Sequence, residues 1–222
     1  MEEALVFLNK LKRNNNREWF NAHKPEFQQL QIGIKRFYED IKLNLERHDE
    51  IEKLKMFRIY RDVRFSKDKT PYNYHFAGSF SRSGKKLRGG YYLRIRPGES
   101  FLAGGFWQPN KEDLFRIRKE IEFSDRELRT ILSEKEFRHV FGGVLVGEEL
   151  KTAPKGFSKD DPAIDLLRKK GFVAVRNFTD KEVLSPEFAT EVNRSFKALR
   201  PFFDYMSEVL TTDLNGVSTI DQ

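Results

Sequence analysis

Apolar residues recur at helical spacing near both ends of this 222-residue chain and at strand spacing in its middle. Ala4, Leu5, Phe7, Leu8 and Leu11 make a short helical face that Asn14-Asn15-Asn16 breaks. Phe27, Leu30, Ile34, Phe37, Ile41 and Leu45 then recur at steps of three and four, predicting a long amphipathic helix. Pro25 sits in its first turn, where a missing N–H costs little. Further on, the spacing predicts short helices opened by capping boxes at Ser124–Glu127 and Ser133–Glu136. Another helix is expected from Asp161-Pro162 to Gly171. A last one follows Ser185-Pro186, with Phe188, Val192, Phe196, Leu199 and Phe203 inward, and Pro201 kinks or divides it.

The middle reads as β. Phe57 to Phe65 alternates, with Phe57, Ile59, Arg61, Val63 and Phe65 on one side and Arg58, Tyr60, Asp62 and Arg64 on the other. Strands are then expected over Phe76–Arg82, Tyr91–Arg96 and Phe101–Trp107, with a fifth over Phe172–Phe178. Ser83-Gly84, Gly89-Gly90 and Pro97-Gly98 mark the connections. Tyr92, Arg94 and Arg96 share one face of their strand, and a simple strand order brings Arg94 to the face of Arg58 and Arg64. The expected fold is α+β, a central antiparallel β-meander flanked by N-terminal and C-terminal helices, in a single domain over residues 1–222.

Composition narrows the function. Twenty-one Phe residues imply a largely aromatic core, and the absence of cysteine excludes disulfides, thiolate metal sites and a Cys nucleophile. No basic leader or run of about 18 apolar residues is present, so a cytoplasmic protein that does not enter the membrane is expected. The net charge of +7 is unevenly placed: residues 55–96 hold twelve Lys or Arg against Asp62 and Asp68, net +10, leaving −3 for the remainder. Within that segment Arg82, Lys85, Lys86 and Arg88 read as a solvated basic surface.

The row Arg58, Tyr60, Asp62 and Arg64 runs into the loop Ser66-Lys67-Asp68-Lys69-Thr70-Pro71-Tyr72. Guanidinium forks match phosphate or carboxylate, and Ser66, Lys67 and Lys69 add donors, so this stretch is expected to bind an anion. A cross-strand salt-bridge ladder without a ligand explains the same row. Arg61 is out of place among apolar neighbours and is expected to snorkel at a sheet edge or mark a bulge. His75 follows as a candidate acid or base, Tyr74 as ordinary packing, and Lys155 beside Gly156 as a second phosphate contact. Gly104-Gly105 permits close approach of a backbone or ligand. Trp19 and Phe20 are expected to anchor the first helices, with Arg17 and His23 capping helix ends. P-loop, GxGxxG, HExxH and GxSxG patterns are absent, and the four histidines lack ligand spacing, so neither a dinucleotide fold nor a metal site is indicated.

Several stretches together resemble a widespread bacterial family of uncharacterised proteins. They are Asn15–Phe20 with His23-Lys24, Phe57–Tyr72, the Pro97-Gly98 turn with Gly104-Gly105, Pro154-Lys155-Gly156, and the Ser185-Pro186 helix with Arg200-Pro201-Phe202. Asp161 stands where that pattern leads one to expect a histidine, which argues against catalysis there. The resemblance implies one full-length domain in a bacterial cytoplasm and raises interest in Tyr72. It implies no reaction.

The leading expectation is therefore binding of a phosphate-bearing ligand, nucleotide or nucleic acid, through Arg58, Tyr60, Arg64, Ser66, Lys67, Lys69, Tyr72, Arg94 and Lys155. Two alternatives stand beside it. One is an enzyme acting on a phosphorylated small molecule, with Asp62 or His75 as proton carrier. The other is a structural or interaction protein whose Arg/Asp row is scaffolding. The sequence specifies neither a cofactor nor an oligomeric state.

Overall fold

The computed structural model describes residues 1–220. Five strands, β1 (Ile51–Met56), β2 (Phe76–Arg82), β3 (Gly90–Ile95), β4 (Ser100–Phe106) and β5 (Phe172–Phe178), form one antiparallel sheet in that order. Three helices precede it: α1 (Glu2–Arg13), α2 (Arg17–Ala22) and α3 (Lys24–Leu45). Four more, α4 (Lys111–Phe123), α5 (Arg126–Ser133), α6 (Lys135–Phe141) and α7 (Ile164–Leu167), separate β4 from β5. After the sheet come α8 (Asp180–Leu184), α9 (Phe188–Ala198) and α10 (Arg200–Thr211). This is the expected α+β meander, with β5 added beside β4. Among the described residues, no helix is long and apolar enough to cross a membrane.

The chain forms two compact units. The first comprises Met1–Phe80, Tyr92–Leu102 and Asn177–Arg194. Here the apolar stripe of α3 supplies the core: Phe27 stacks on Phe76 at 5.9 Å, and the fully buried Tyr38 donates its hydroxyl proton to the Leu93 carbonyl at 3.0 Å. Leu93 and Ile95 are buried, while the alternate residues Tyr92, Arg94 and Arg96 are half-buried on the opposite face. The second unit comprises Ser81–Tyr91, Ala103–Arg176 and Ser195–Gln222. Its core packs Tyr91 between Phe196 and Phe203, each 4.9 Å away. Gly105, at φ +140°, lets β4 approach β5 closely: a Cβ there would lie 2.1 Å from the Phe172 carbonyl oxygen.

Several expectations are corrected. The stretch Phe57–Phe65 is a loop, and the first strand lies upstream at Ile51–Met56. That strand is at the sheet edge and carries Glu52, Lys53 and Lys55, which protect an edge from further pairing and weaken its hydrophobic signal. The alternation of 57–65 finds no strand to pair with, because Ser66 to Pro71 is turn-forming; only the bridge Tyr60–Tyr72 forms. Neither serine capping box forms. α5 and α6 start after Asp125 and Glu134 without a side-chain cap, and the reciprocal box belongs to Thr179 and Glu182 at α8. Asp161 caps a turn through the Ala163 N–H, so α7 begins later and ends at Leu167 rather than Gly171. Pro201 divides the last helix into α9 and α10, sitting in the first turn of the latter.

Candidate functional site

The loop after β1 is built from its own polar groups. The chain leaves the sheet after the Phe57 N–H donates to the Ala77 carbonyl. It returns through Arg61 N–H to Pro71 O at 2.9 Å and Asn73 N–H to Ile59 O at 2.7 Å. Between these points Arg61 is the internal staple. Its guanidinium donates to Asp68 at 2.6 Å, to the Thr70 carbonyl at 3.0 Å and to the Thr70 hydroxyl. The residue that fits neither face of a strand is thus the centre of a loop, neither snorkelling nor marking a bulge. Asp68 also accepts the Thr70 N–H, and these bonds, with Arg61, hold its carboxyl below the ordinary range. Lys69 spans the turn to the Val63 carbonyl at 3.0 Å.

Asp62 and Arg64 form a second, outward pair. Arg64 Nη2 meets Asp62 Oδ2 at 2.7 Å and Nε meets Oδ1 at 3.0 Å, a bidentate fork that lowers the Asp62 pKa. At the tip Phe65 is 96% exposed, so the expected apolar face of this segment buries only Ile59. Lys67 is exposed beside it.

The base of the loop is anchored to the first helices. Tyr72 is buried, its ring stacked on Phe20 at 4.1 Å and its backbone held by the Asn15 side chain. Burial and the neighbouring Tyr60 raise its pKa, against the opposing charge of Arg17. Tyr72 therefore holds the base of the loop. Asn16 caps α2 by accepting the Trp19 N–H, and Trp19 stacks on His23 at 4.0 Å.

Beside the loop, on the face of β3 that carries Tyr92, lies a hollow of ≈ 430 Å³. Phe57, Tyr60 and Tyr92 give it aromatic walls; Arg58, Asp62 and His75 give it titratable groups, with Asn73 and Arg61 completing the lining. Asp62 is its one acid, and Arg64 occupies it. The Arg58 guanidinium has no ion-pair or hydrogen-bond partner among the described residues. His75 is pushed down to about 4 by burial and then by the charges of Arg94 and Arg96, so its ring is neutral at pH 7. Arg94 stacks over Phe101 at 4.3 Å and donates to the Glu99 carbonyl. Burial and Arg96 lower its pKa. Arg96 lies over the Tyr74 ring at 4.2 Å and donates to its hydroxyl, so Tyr74 does more than pack.

The structure thus gathers Arg58, Tyr60, Asp62 and His75 around one hollow, with Arg94 acting on it through charge. It assigns Arg64, Ser66 and Lys69 to the loop's own framework, and Lys155 lies exposed in the second unit. The solvated surface expected at 82–88 is corrected for two residues. Arg82 is 3% exposed, bonded to Ser207 and Asp204, and Arg88 pairs with Asp113. Sequence reasoning missed Phe57, Asn73 and Tyr92 as lining residues. Their signal was present only as aromatic and amide residues on either side of the basic motif. Among the described residues, no group of three or more His, Asp or Glu could hold a metal ion.

These features define an α+β protein with an antiparallel sheet and a basic, aromatic-walled hollow beside a self-stapled loop. The chain belongs to the DUF2461 family of conserved hypothetical proteins, whose model matches residues 3–205. No curated protein and no solved structure matches it.

Proposed function

We propose that this protein binds a phosphate-bearing small ligand in the hollow, with Arg58 as the cation that meets the phosphate. The observation that carries this reading is the charge balance of the lining. The Arg58 guanidinium makes no salt bridge or hydrogen bond; its charge reaches Asp62 through space, but that carboxylate is already forked by Arg64. Arg94 and Arg96 act on His75 through charge, but both pair with the Glu99 carboxylate, so the attraction for an anion rests on Arg58. A binding surface for nucleic acid along residues 82–88 is less well supported, because Arg82 and Arg88 are spent inside the second unit. The scaffolding alternative accounts for Arg61 and Arg64 but leaves Arg58 without a role. The reading includes a bacterial cytoplasmic setting, which the absence of cysteine supports.

The test is a thermal-shift screen at low and physiological salt with nucleotides, phosphorylated metabolites and short nucleic acids. A ligand of the native state raises the melting temperature by mass action. A salt-tolerant shift that Arg58→Ala removes is expected. A shift seen only with nucleic acid and erased by salt would replace this reading with an electrostatic surface.

A second reading, an enzyme acting on a phosphorylated small molecule, draws on His75. Its neutral ring in the hollow can accept a proton from a bound ligand. Turnover lost in His75→Gln while ligand binding is kept would establish it.

A further inference from the structure

The cationic side of the hollow is only half of its lining, and the aromatic half has no use for a bare phosphate. Phe57 is 42% and Tyr60 47% exposed, and both rings border the same space. The Tyr60 ring is braced from behind by Phe20 in an edge contact at 5.8 Å. Phe57 lies 6.0 Å from the Tyr92 ring. Lys55 Nζ also lies over the Phe57 ring at 5.4 Å, so Tyr60 is the ring braced from behind whose exposed apolar area is left to water. A flat apolar ligand ring would cover that area. An inorganic phosphate or a sugar phosphate would not.

We propose that Phe57, Tyr60 and Tyr92 form a base-binding subsite, with Asn73 and His75 meeting the base edge, so that the ligand is a nucleotide. This rests on the reading of Arg58 as the phosphate cation. The polar groups suit the task. A neutral histidine presents one donor and one acceptor, and the Asn73 amide presents both as well. The one bond that Asn73 makes through its side chain is a long one, 3.5 Å to the Arg58 carbonyl, which leaves its oxygen available. Burial, and after it the charges of Arg94 and Arg96, keeps His75 in the neutral form that such pairing needs. A hollow of ≈ 430 Å³ falls within the roughly 300–1,000 Å³ of small-molecule sites. Stacking a base on an aromatic side chain is worth about 1–3 kcal/mol and tolerates any base, because every base has a π face.

The same base-and-phosphate unit occurs in a free nucleotide and at the end of a single strand, so the experiment carries both. Calorimetric titrations would compare each 5′-mononucleotide, ribose 5-phosphate, inorganic phosphate and a short single-stranded oligonucleotide. The proteins would be the unmodified chain, Phe57→Leu, Tyr60→Leu and Arg58→Ala. Leucine keeps apolar bulk against Phe20 and Tyr92 but removes the flat face, and unchanged melting temperatures would verify folding.

Mononucleotides should bind at least about tenfold more tightly than ribose 5-phosphate. Each Leu variant should lose about five- to tenfold in nucleotide affinity while keeping its affinity for ribose 5-phosphate within about twofold. Arg58→Ala should weaken both. Equal or weaker binding of the oligonucleotide assigns the subsite to free nucleotides, and tighter binding assigns it to a strand end; either upholds it. Ribose 5-phosphate binding as tightly as nucleotides, with both Leu variants unaffected, would overturn the base subsite and leave the phosphate reading intact. Absence of binding by every phosphate-bearing ligand would overturn both.

Discussion

The side-chain amide of Asn15 replaces a neighbouring strand for the backbone of Tyr72. Its Nδ2 donates to the Tyr72 carbonyl at 2.8 Å, and its Oδ1 accepts the Tyr72 N–H at 3.1 Å. The two residues are 57 positions apart, and the pair fixes the closing end of the 60–72 loop to the start of α2. The ring of the same tyrosine stacks on Phe20 of α2, so the backbone is held from the turn before α2 and the side chain from α2 itself. The wall of the hollow formed by Tyr60 stands on this anchor, since Tyr60 bridges to Tyr72.

Asn15→Ala should accordingly cost on the order of 2 kcal/mol, because it leaves a part-buried N–H and C=O without partners. Asn15→Asp should cost at least as much, since a carboxylate oxygen would face the Tyr72 carbonyl. Urea unfolding of the two variants measures both values. A loss below about 0.5 kcal/mol in each would mean that the amide clamp does not hold the loop.

The two arginines of the loop should behave in opposite ways. The Arg61 side chain is 23% exposed and makes charge-assisted bonds to Asp68 and Thr70; that of Arg64 is 77% exposed and bonded to Asp62. Arg61→Ala should release about 1.5–3 kcal/mol of local stability and speed chymotryptic cleavage after the exposed Phe65 by about tenfold or more. Arg61→Lys should fail to restore it, lacking the planar fork. Arg64→Ala should leave stability nearly unchanged, because solvent screens this exposed pair. Equal cleavage rates in the Arg61 and Arg64 variants would contradict the assignment of Arg61 as the staple.

Much of this architecture was legible in the sequence. The helical stripe of α3 and the alternation of β3 follow from periodicity, while β2, β4 and β5, each with three consecutive buried residues, stood out as short apolar runs between turn signals. The basic motif also stood out as a candidate site. Its conformation did not, for a physical reason. Alternation reports a strand only where a partner strand exists, and here the polar alternates are consumed within the loop by Arg61, Asp62 and Asp68. The charged edge strand β1 hid for the converse reason, being paired but hardly apolar. The clamp between Asn15 and Tyr72 leaves no periodic trace, since one side chain makes it across a long separation. The capping box that does form, Thr179 with Glu182, was not among the patterns singled out in the sequence, because spacing alone does not tell a closed box from the two serine patterns that stay open.

Stability should depend on pH through His75. Its folded pKa of about 4 lies below the ordinary 6.5, under the influence of burial and of Arg94 and Arg96; Arg58 and Asp62 also face the hollow. Between these values the unfolded chain binds the proton and the folded one does not, so the contribution is complete above pH 6.5 and is lost as pH falls toward 4. Solvent reaches the half-buried ring, so the expected loss is on the order of 1–2 kcal/mol. His75→Gln should flatten unfolding free energy across that window relative to the unmodified protein. An unchanged slope would remove His75 as its source.

Close approach of β4 and β5 depends on Gly105. A Cβ at this φ of +140° would meet the Phe172 carbonyl oxygen at 2.1 Å and the Val173 Cα at 2.9 Å, both backbone atoms that cannot turn aside. Gly105→Ala should therefore cost on the order of 3–5 kcal/mol, measured by thermal or urea unfolding. Gly98→Ala, at a turn with open space around it, should cost less.

The central claim concerns Arg58, a cation of the hollow whose guanidinium makes no salt bridge or hydrogen bond among the described residues. The most direct test is a calorimetric titration of ribose 5-phosphate and of a 5′-mononucleotide into the unmodified protein, Arg58→Ala and Arg64→Ala. Loss of one charge-assisted contact to phosphate, about 1.5–3 kcal/mol, predicts affinity at least about tenfold weaker in Arg58→Ala for both ligands, with Arg64→Ala close to unmodified. An Arg58→Ala protein that melts and titrates like the unmodified one would contradict the account.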